Sequence, residues 1–109
     1  MSDSKELSVA QKKYGDIAPK IAELTDDVLF GDVWKREELS PRDRCLITVS
    51  SLITGGNTQQ LKSHLNLAKQ NGLSEEELIE AMTHLAFYAG WPKAMSAITV
   101  AKELFSKAE

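Results

Sequence analysis

His64 and His84 are the only histidines in the 109 residues. Each falls at the edge of an apolar stripe with helical spacing, and each has a polar residue one turn away. For His64 that residue is Gln60, and for His84 it is Tyr88. Two titratable rings set against a helical core point to a small proton-handling site. A free imidazole titrates near ~6.5, so both of its protonation states are accessible around neutral pH. Gln60 could fix the tautomer of His64 or bind substrate directly. The competing reading of His64 is a core ring satisfied by a backbone carbonyl, and that of His84 a packing or interface ring. Tyr88 could donate to a substrate, although an aromatic at this spacing also suits a core.

Arg42 and Arg44 are the candidates for gripping the carboxylates of an acidic substrate, because the guanidinium fork matches a carboxylate bidentately. Positions two apart on a helix point about 200° apart, so the two arginines do not share one pocket within a subunit. One of them pairs with Asp43 or with a neighbouring subunit's acid, and Arg42 is the preferred grip by a small margin. Cys45 follows directly. As the only thiol it excludes an internal disulfide framework or a CxxC pair within the chain. It remains a candidate proton donor or oxidisable group beside the commoner role of buried filler. Trp34 and Trp91 could wall an apolar pocket. Lys35 and Arg36 read as a solvated loop. No ligand spacing links His64, His84 and Cys45, so no metal site is expected.

The elements that must carry these residues read as all-α, a compact bundle of about five to six helices. Ser40-Pro41-Arg42-Asp43 supplies an N-cap serine, a first-turn proline and an acid at the third position, which predicts a helix over 40–54. Leu46, Val49, Ser50 and Ile53 form its repeating stripe, and Gly55-Gly56 stops it. Asn57-Thr58-Gln59-Gln60 is a second capping pattern, followed by Leu61, His64, Leu65 and Ala68 up to Gly72. Ser74-Glu75-Glu76-Glu77 is the strongest, a capping box with three carboxylates at the positive end of the helix dipole. Leu78, Met82, Leu85 and Ala89 continue it. After Gly90-Trp91-Pro92 a last helix runs to about Lys107 through Ala94, Ala97, Ile98, Ala101 and Phe105. In the N-terminal third, Ile17, Ile21, Leu24 and Val28 predict one more helix with Pro19 in its first turn. Gly31 to Leu39 reads as a buried connecting loop, and residues 1–12 are open to fraying.

Composition bounds the class. Hydrophobic residues make up 42% and charged residues 27%, as in an ordinary soluble globular protein, and the length fits a single domain over 1–109. Residues 1–54 hold 8 basic and 10 acidic side chains, and residues 55–109 hold 5 and 6. No basic face emerges, so a nucleic-acid partner is not expected. Apolar runs stop well short of the ~20 residues of a membrane span. The opening Met-Ser-Asp-Ser-Lys-Glu has no apolar signal core, so the expected location is cytoplasmic.

Phe30-Gly31-Asp32-Val33-Trp34, Leu39-Ser40-Pro41-Arg42-Asp43-Arg44, the His64 helix and Leu85-Ala86-Phe87-Tyr88-Ala89-Gly90-Trp91-Pro92 follow one another in the order and spacing of a known family. The chain thus resembles the carboxymuconolactone decarboxylase family, which also contains the alkylhydroperoxidase D-like proteins. The resemblance implies a small all-helical protein that associates as a trimer or hexamer, with sites near subunit contacts. It also departs from part of that family. The redox branch carries a CxxC pair ending four residues before the helical histidine, where this chain has Asn57 and Gln60. Where that branch commonly has a glutamate early in the preceding helix, this chain has Cys45. Disulfide chemistry needs a thiolate and a resolving partner, so the decarboxylase branch is the nearer one.

That branch implies cofactor-free loss of CO2 from a small unsaturated lactone acid. A donor must sit where charge develops on the carbonyl oxygen, and a positioned acid must protonate carbon. His64, with Gln60 and Cys45 beside it, is the expected catalytic group. Arg42, Arg44, His84, Tyr88, Trp34 and Trp91 are the expected substrate contacts. Two alternatives stand beside this reading. One is an alkylhydroperoxidase D-like antioxidant using Cys45 alone, and the other a non-catalytic helical oligomer that binds a ligand.

Overall fold

The computed structural model describes residues 7–106. Among them the secondary structure is helical, as the periodicity predicts. The chain forms two units, Met1–Leu39 and Ser40–Glu109.

In the first unit, α1 spans Val9–Tyr14 and α2 spans Pro19–Leu24. Ser8 caps α1 by accepting from the Gln11 N–H at 3.1 Å, so part of the stretch read as open to fraying is an ordered turn of helix. Residues 1–6 lie outside the described residues. The predicted helix through Val28 is real only to Leu24. Beyond it the backbone widens into a π turn, Thr25–Leu29, with the Phe30 N–H donating to the Thr25 carbonyl five residues back. The stripe Ile17, Ile21, Leu24 and Val28 is not an inner face, because all four side chains are exposed, and among the described residues of this unit only Ala10 and Ala22 are buried. A unit of this length has too little chain to cover its own apolar groups. The loop before Ser40 contains a short 3-10 turn, Val33–Lys35. It is not a buried segment: only Trp34 reaches half-burial, with its ring 5.7 Å from that of Phe30.

In the second unit, α3 spans Pro41–Gly55, α4 Thr58–Gln70, α5 Glu75–Leu85 and α6 Trp91–Ser106. The Ser40 hydroxyl accepts from the Asp43 N–H at 3.0 Å to start α3. Its end is a Schellman closure: Gly56, at φ +72°, donates to Ile53 while the Asn57 N–H donates to Leu52. That closure places Asn57 at the start of α4, where its side chain makes no capping hydrogen bond. The same closure ends α4, with Gly72 at φ +102° and the Leu73 N–H on the Ala68 carbonyl. Leu73 is buried, as the apolar residue after such a closure usually is.

The Ser74–Glu77 capping box forms as predicted, with both hydrogen bonds at 3.0 Å. The α-helix stops at Leu85, four residues before the predicted Ala89. From Ala86 to Tyr88 the N–H groups reach carbonyls three residues back, tightening the chain toward Gly90 at φ +110°. The predicted end of α6 at Lys107 lies outside the described residues.

α3 packs on α4, α5 and α6, and α6 also packs on α4 and α5. The core between them holds Cys45, Val49, Ile53, Leu61, Leu65, Leu78 and Met82, with Ala94, Ala97 and Ala101 letting α6 approach closely. Each large side chain removed from water contributes about 1.5–3 kcal/mol. On α3 the buried stripe is Cys45, Val49 and Ile53, while Leu46 and Ser50 are half-buried and turned to another use.

Candidate functional site

α4 holds His64 beside the buried Leu61, Leu65 and Ala68, and the ring itself is half-buried. Its Nδ1 lies 2.9 Å from the Gln60 carbonyl oxygen. A carbonyl only accepts, so Nδ1 carries a proton and Nε2 is the nitrogen left for exchange. The group on Gln60 that sets the tautomer is therefore its main chain, because an i–4 carbonyl lies under a helical side chain. As a cation His64 donates from Nε2, and as a neutral ring it accepts there.

A separate groove of about 400 Å³ runs between α3 and α5. Arg42, Leu46 and Ser50, at steps of four residues on α3, form one wall. Glu77, Glu80, Ala81, His84 and Leu85 form the other, at helical steps on α5, and Leu73 closes the end. The floor is aliphatic and the rim is polar. Arg42 and His84, both expected to touch substrate, are brought together here. His64 is not among the lining residues.

The Arg42 guanidinium is engaged by acids of its own chain. Its Nη2 donates to Glu77 Oε2, and its Nη1 lies 3.6 Å from Asp43 Oδ1. Glu77 is held twice, because Oε1 also accepts from the Ser74 N–H. That backbone bond, followed by the charge of Arg42, holds the Glu77 carboxyl below the usual glutamate range. His84 is exposed and stacks on Tyr88, with ring centroids 4.7 Å apart and planes inclined by 25°. Trp91 meets the edge of Phe87 at 5.5 Å. Phe87, Tyr88 and Trp91 are 74%, 77% and 58% exposed, so within one chain they wall no enclosed pocket. Trp34 belongs to the other unit.

Cys45 is 2% exposed. Burial pushes its thiol up from the ordinary value, and a hydrogen bond with Asn71 offsets this only in part. A neutral, enclosed thiol matches the filler role better than a nucleophile's. Arg44 is half-buried on the same turn, and its carbonyl accepts from the Thr48 hydroxyl at 2.8 Å. Among the described residues no three His, Cys, Asp or Glu side chains converge as a metal site would require. Nor is any helix there long and apolar enough to cross a membrane.

Sequence reasoning missed Glu77, Glu80, Ser50 and Leu73. The first two carry the same helical spacing as Ala81 and His84, so the face was there to be read. The Arg42–Glu77 pair was not, because its members stand 35 residues apart.

Comparison with known proteins adds the lineage. The pattern of the carboxymuconolactone decarboxylase family matches residues 19–103. The chain is 36% identical over 76 residues to the 4-carboxymuconolactone decarboxylase of Acinetobacter baylyi, covering 70% of this chain and 57% of that protein. It is 33% identical over 81 residues to the nitrosuccinic acid decarboxylase of Metarhizium robertsii, covering 74% and 57%. The chain thus matches a little over half the length of each relative. With its helices, its His64 turn and most of its length on that pattern, the chain belongs to the carboxymuconolactone decarboxylase family.

Proposed function

We propose that this chain is a carboxy-lyase that removes CO2 from a small carboxylic acid, with His64 supplying the proton that replaces it. The observation that carries this reading is the match of residues 19–103 to the carboxymuconolactone decarboxylase family, and the contact of His64 Nδ1 with the Gln60 carbonyl fits it by leaving Nε2 as the exchanging atom. The relatives named above support it, because both bear the names of decarboxylases. A nitro group or a conjugated lactone can each hold an electron pair released beside it. The favoured substrate class is an unsaturated lactone acid or a comparably activated acid.

In the reaction, the bond from carbon to the carboxylate breaks and its pair moves into the substrate's own acceptor group. CO2 leaves, and Nε2–H of the His64 cation delivers a proton to carbon. The ring is left neutral with Nδ1–H still on the Gln60 carbonyl, and solvent restores the lost proton. The acceptor oxygen gains charge along the way and needs a donor near it. Arg42 and His84 in the α3–α5 groove are the carboxylate and oxyanion contacts of this proposal. His64 does not line that groove, so the reading includes self-association that unites the two on one substrate. The exposure of Ile47, Phe87, Tyr88 and Trp91 supports association through apolar contacts.

The test is CO2 release from a carboxymuconolactone-type acid by the purified chain, without added thiol. His64→Gln, which keeps a polar side chain but loses the transferable proton, is expected to slow release by about 10²–10⁴-fold. Undiminished release by His64→Gln and His64→Ala would remove His64 from the reaction. No release by the unaltered chain from any acid of this class would end the lyase reading.

A further inference from the structure

We infer that Glu77 is a tethered competitor for the ligand's carboxylate, occupying the Arg42 guanidinium until an incoming acid displaces it. This rests on reading the α3–α5 groove as the acid-binding part of the site. Arg42 is the one permanently charged cation among the lining residues, set against the carboxylates of Glu77 and Glu80. With Arg42 turned to Glu77, the guanidinium's charge is offset by a carboxylate before any anion arrives. Glu77 Oε2 already holds Nη2, so a ligand carboxylate competes with it for the guanidinium.

The competitor is permanent. Its Oε1 is fixed to the first turn of α5 by the Ser74 N–H, so the carboxylate does not drift away when Arg42 lets go. It also remains ionised around neutral pH, since its carboxyl titrates below the ordinary range. The pair is nonetheless half-exposed, with side-chain accessibilities of 41% and 47%. Pairs of that kind are weak enough for a ligand to break. The outcome is a specificity filter. A bare carboxylate such as acetate gains little by trading places with Glu77. An acid with a second polar group for Ser50 or His84, and a compact body for Leu46 and Leu85, gains more and enters.

The test uses a non-reactive dicarboxylate, succinate, titrated into the full chain and followed by NMR shifts and calorimetry. Glu77→Gln is the informative variant, because glutamine at this position fills the same capping box and keeps the helix start intact. Glu77→Gln is expected to bind succinate about three- to fivefold tighter than the unaltered chain. Glu80→Gln removes an equal charge from the same groove without touching Arg42, and is expected to change affinity less than about twofold. In an Arg42→Gln background the gain from Glu77→Gln should vanish. Equal gains from both glutamate variants, a gain that survives without Arg42, or succinate binding in none of these proteins would each overturn the inference. Turnover is a separate readout. If Glu77→Gln tightens binding but CO2 is never released, the lyase reading falls and the competitor stands; the reverse pattern removes only the competitor.

Discussion

Replacing Ser74 with alanine removes one half of the capping box that starts α5. In the folded chain the hydroxyl accepts from the Glu77 N–H and the Glu77 carboxylate accepts from the Ser74 N–H, both at 3.0 Å. Losing the hydroxyl returns one orphan N–H to water and loosens the other bond. Caps of this type are worth about 1 kcal/mol. At roughly 2.1 cal/mol/K of unfolding entropy per residue, a chain of 109 residues loses about 4 °C of Tm for each kcal/mol. Ser74→Ala should therefore melt about 4 °C lower by far-ultraviolet circular dichroism. Ser74→Gly should melt only about 1–2 °C lower, and Ser74→Asp should hold its Tm.

Acid supplies a second arm. The Glu77 carboxyl is lowered on folding from its ordinary value of 4.5. Its stabilising contribution is therefore complete above that value and is lost as pH falls through the lower, folded-state one. Glu77→Gln should be less stable than the unaltered chain at pH 7 and should converge with it in acid. An alanine variant with an unchanged Tm, or a glycine variant as damaged as the alanine one, would refute the capping account.

Cys45 should resist a thiol reagent in the native chain and react fully once denaturant is added, since it is buried with its thiol shifted upward. Rapid native titration, or peroxide consumption that Cys45→Ala abolishes, would restore the antioxidant alternative. Gly90→Ala should lower Tm by about 4–12 °C. The new methyl meets nothing closer than Pro92 Cδ at 3.9 Å, so the loss comes from forcing a side-chain residue to φ +110° at about 1–3 kcal/mol. A Tm held within 1 °C would show that the α5–α6 corner tolerates a different backbone. Gly55→Ala is the contrasting case. It is the last residue of α3, where alanine is favoured by up to about 0.5 kcal/mol, and its methyl displaces only the exposed tip of Asn57. It should not lower Tm.

The four long helices were legible in the sequence because their signals are local. Ser40-Pro41, the Ser74–Glu77 box, Gly56 and Gly72 each act within one turn of backbone, and the apolar repeat between them says which face turns inward. The histidine at 64 and the turn that orients it were legible for the same reason. The end of α5 was not, because Leu85 to Ala89 keeps an apolar repeat while the hydrogen bonds tighten toward Gly90. The N-terminal stripe misled for a different reason, as spacing can mark a face as apolar without saying that anything covers it.

What the sequence determined by itself was the class of structure, most of the helix starts and stops, and the helical turn that carries His64, all set within three to five residues along the chain. Tertiary structure alone decided that Arg42 meets Glu77, that His84 shares its groove while His64 lies elsewhere, and that Cys45 rather than Leu46 turns inward. Those facts depend on how α3 rotates against α5. That rotation is set by packing the whole core at once, which no local stretch of residues records.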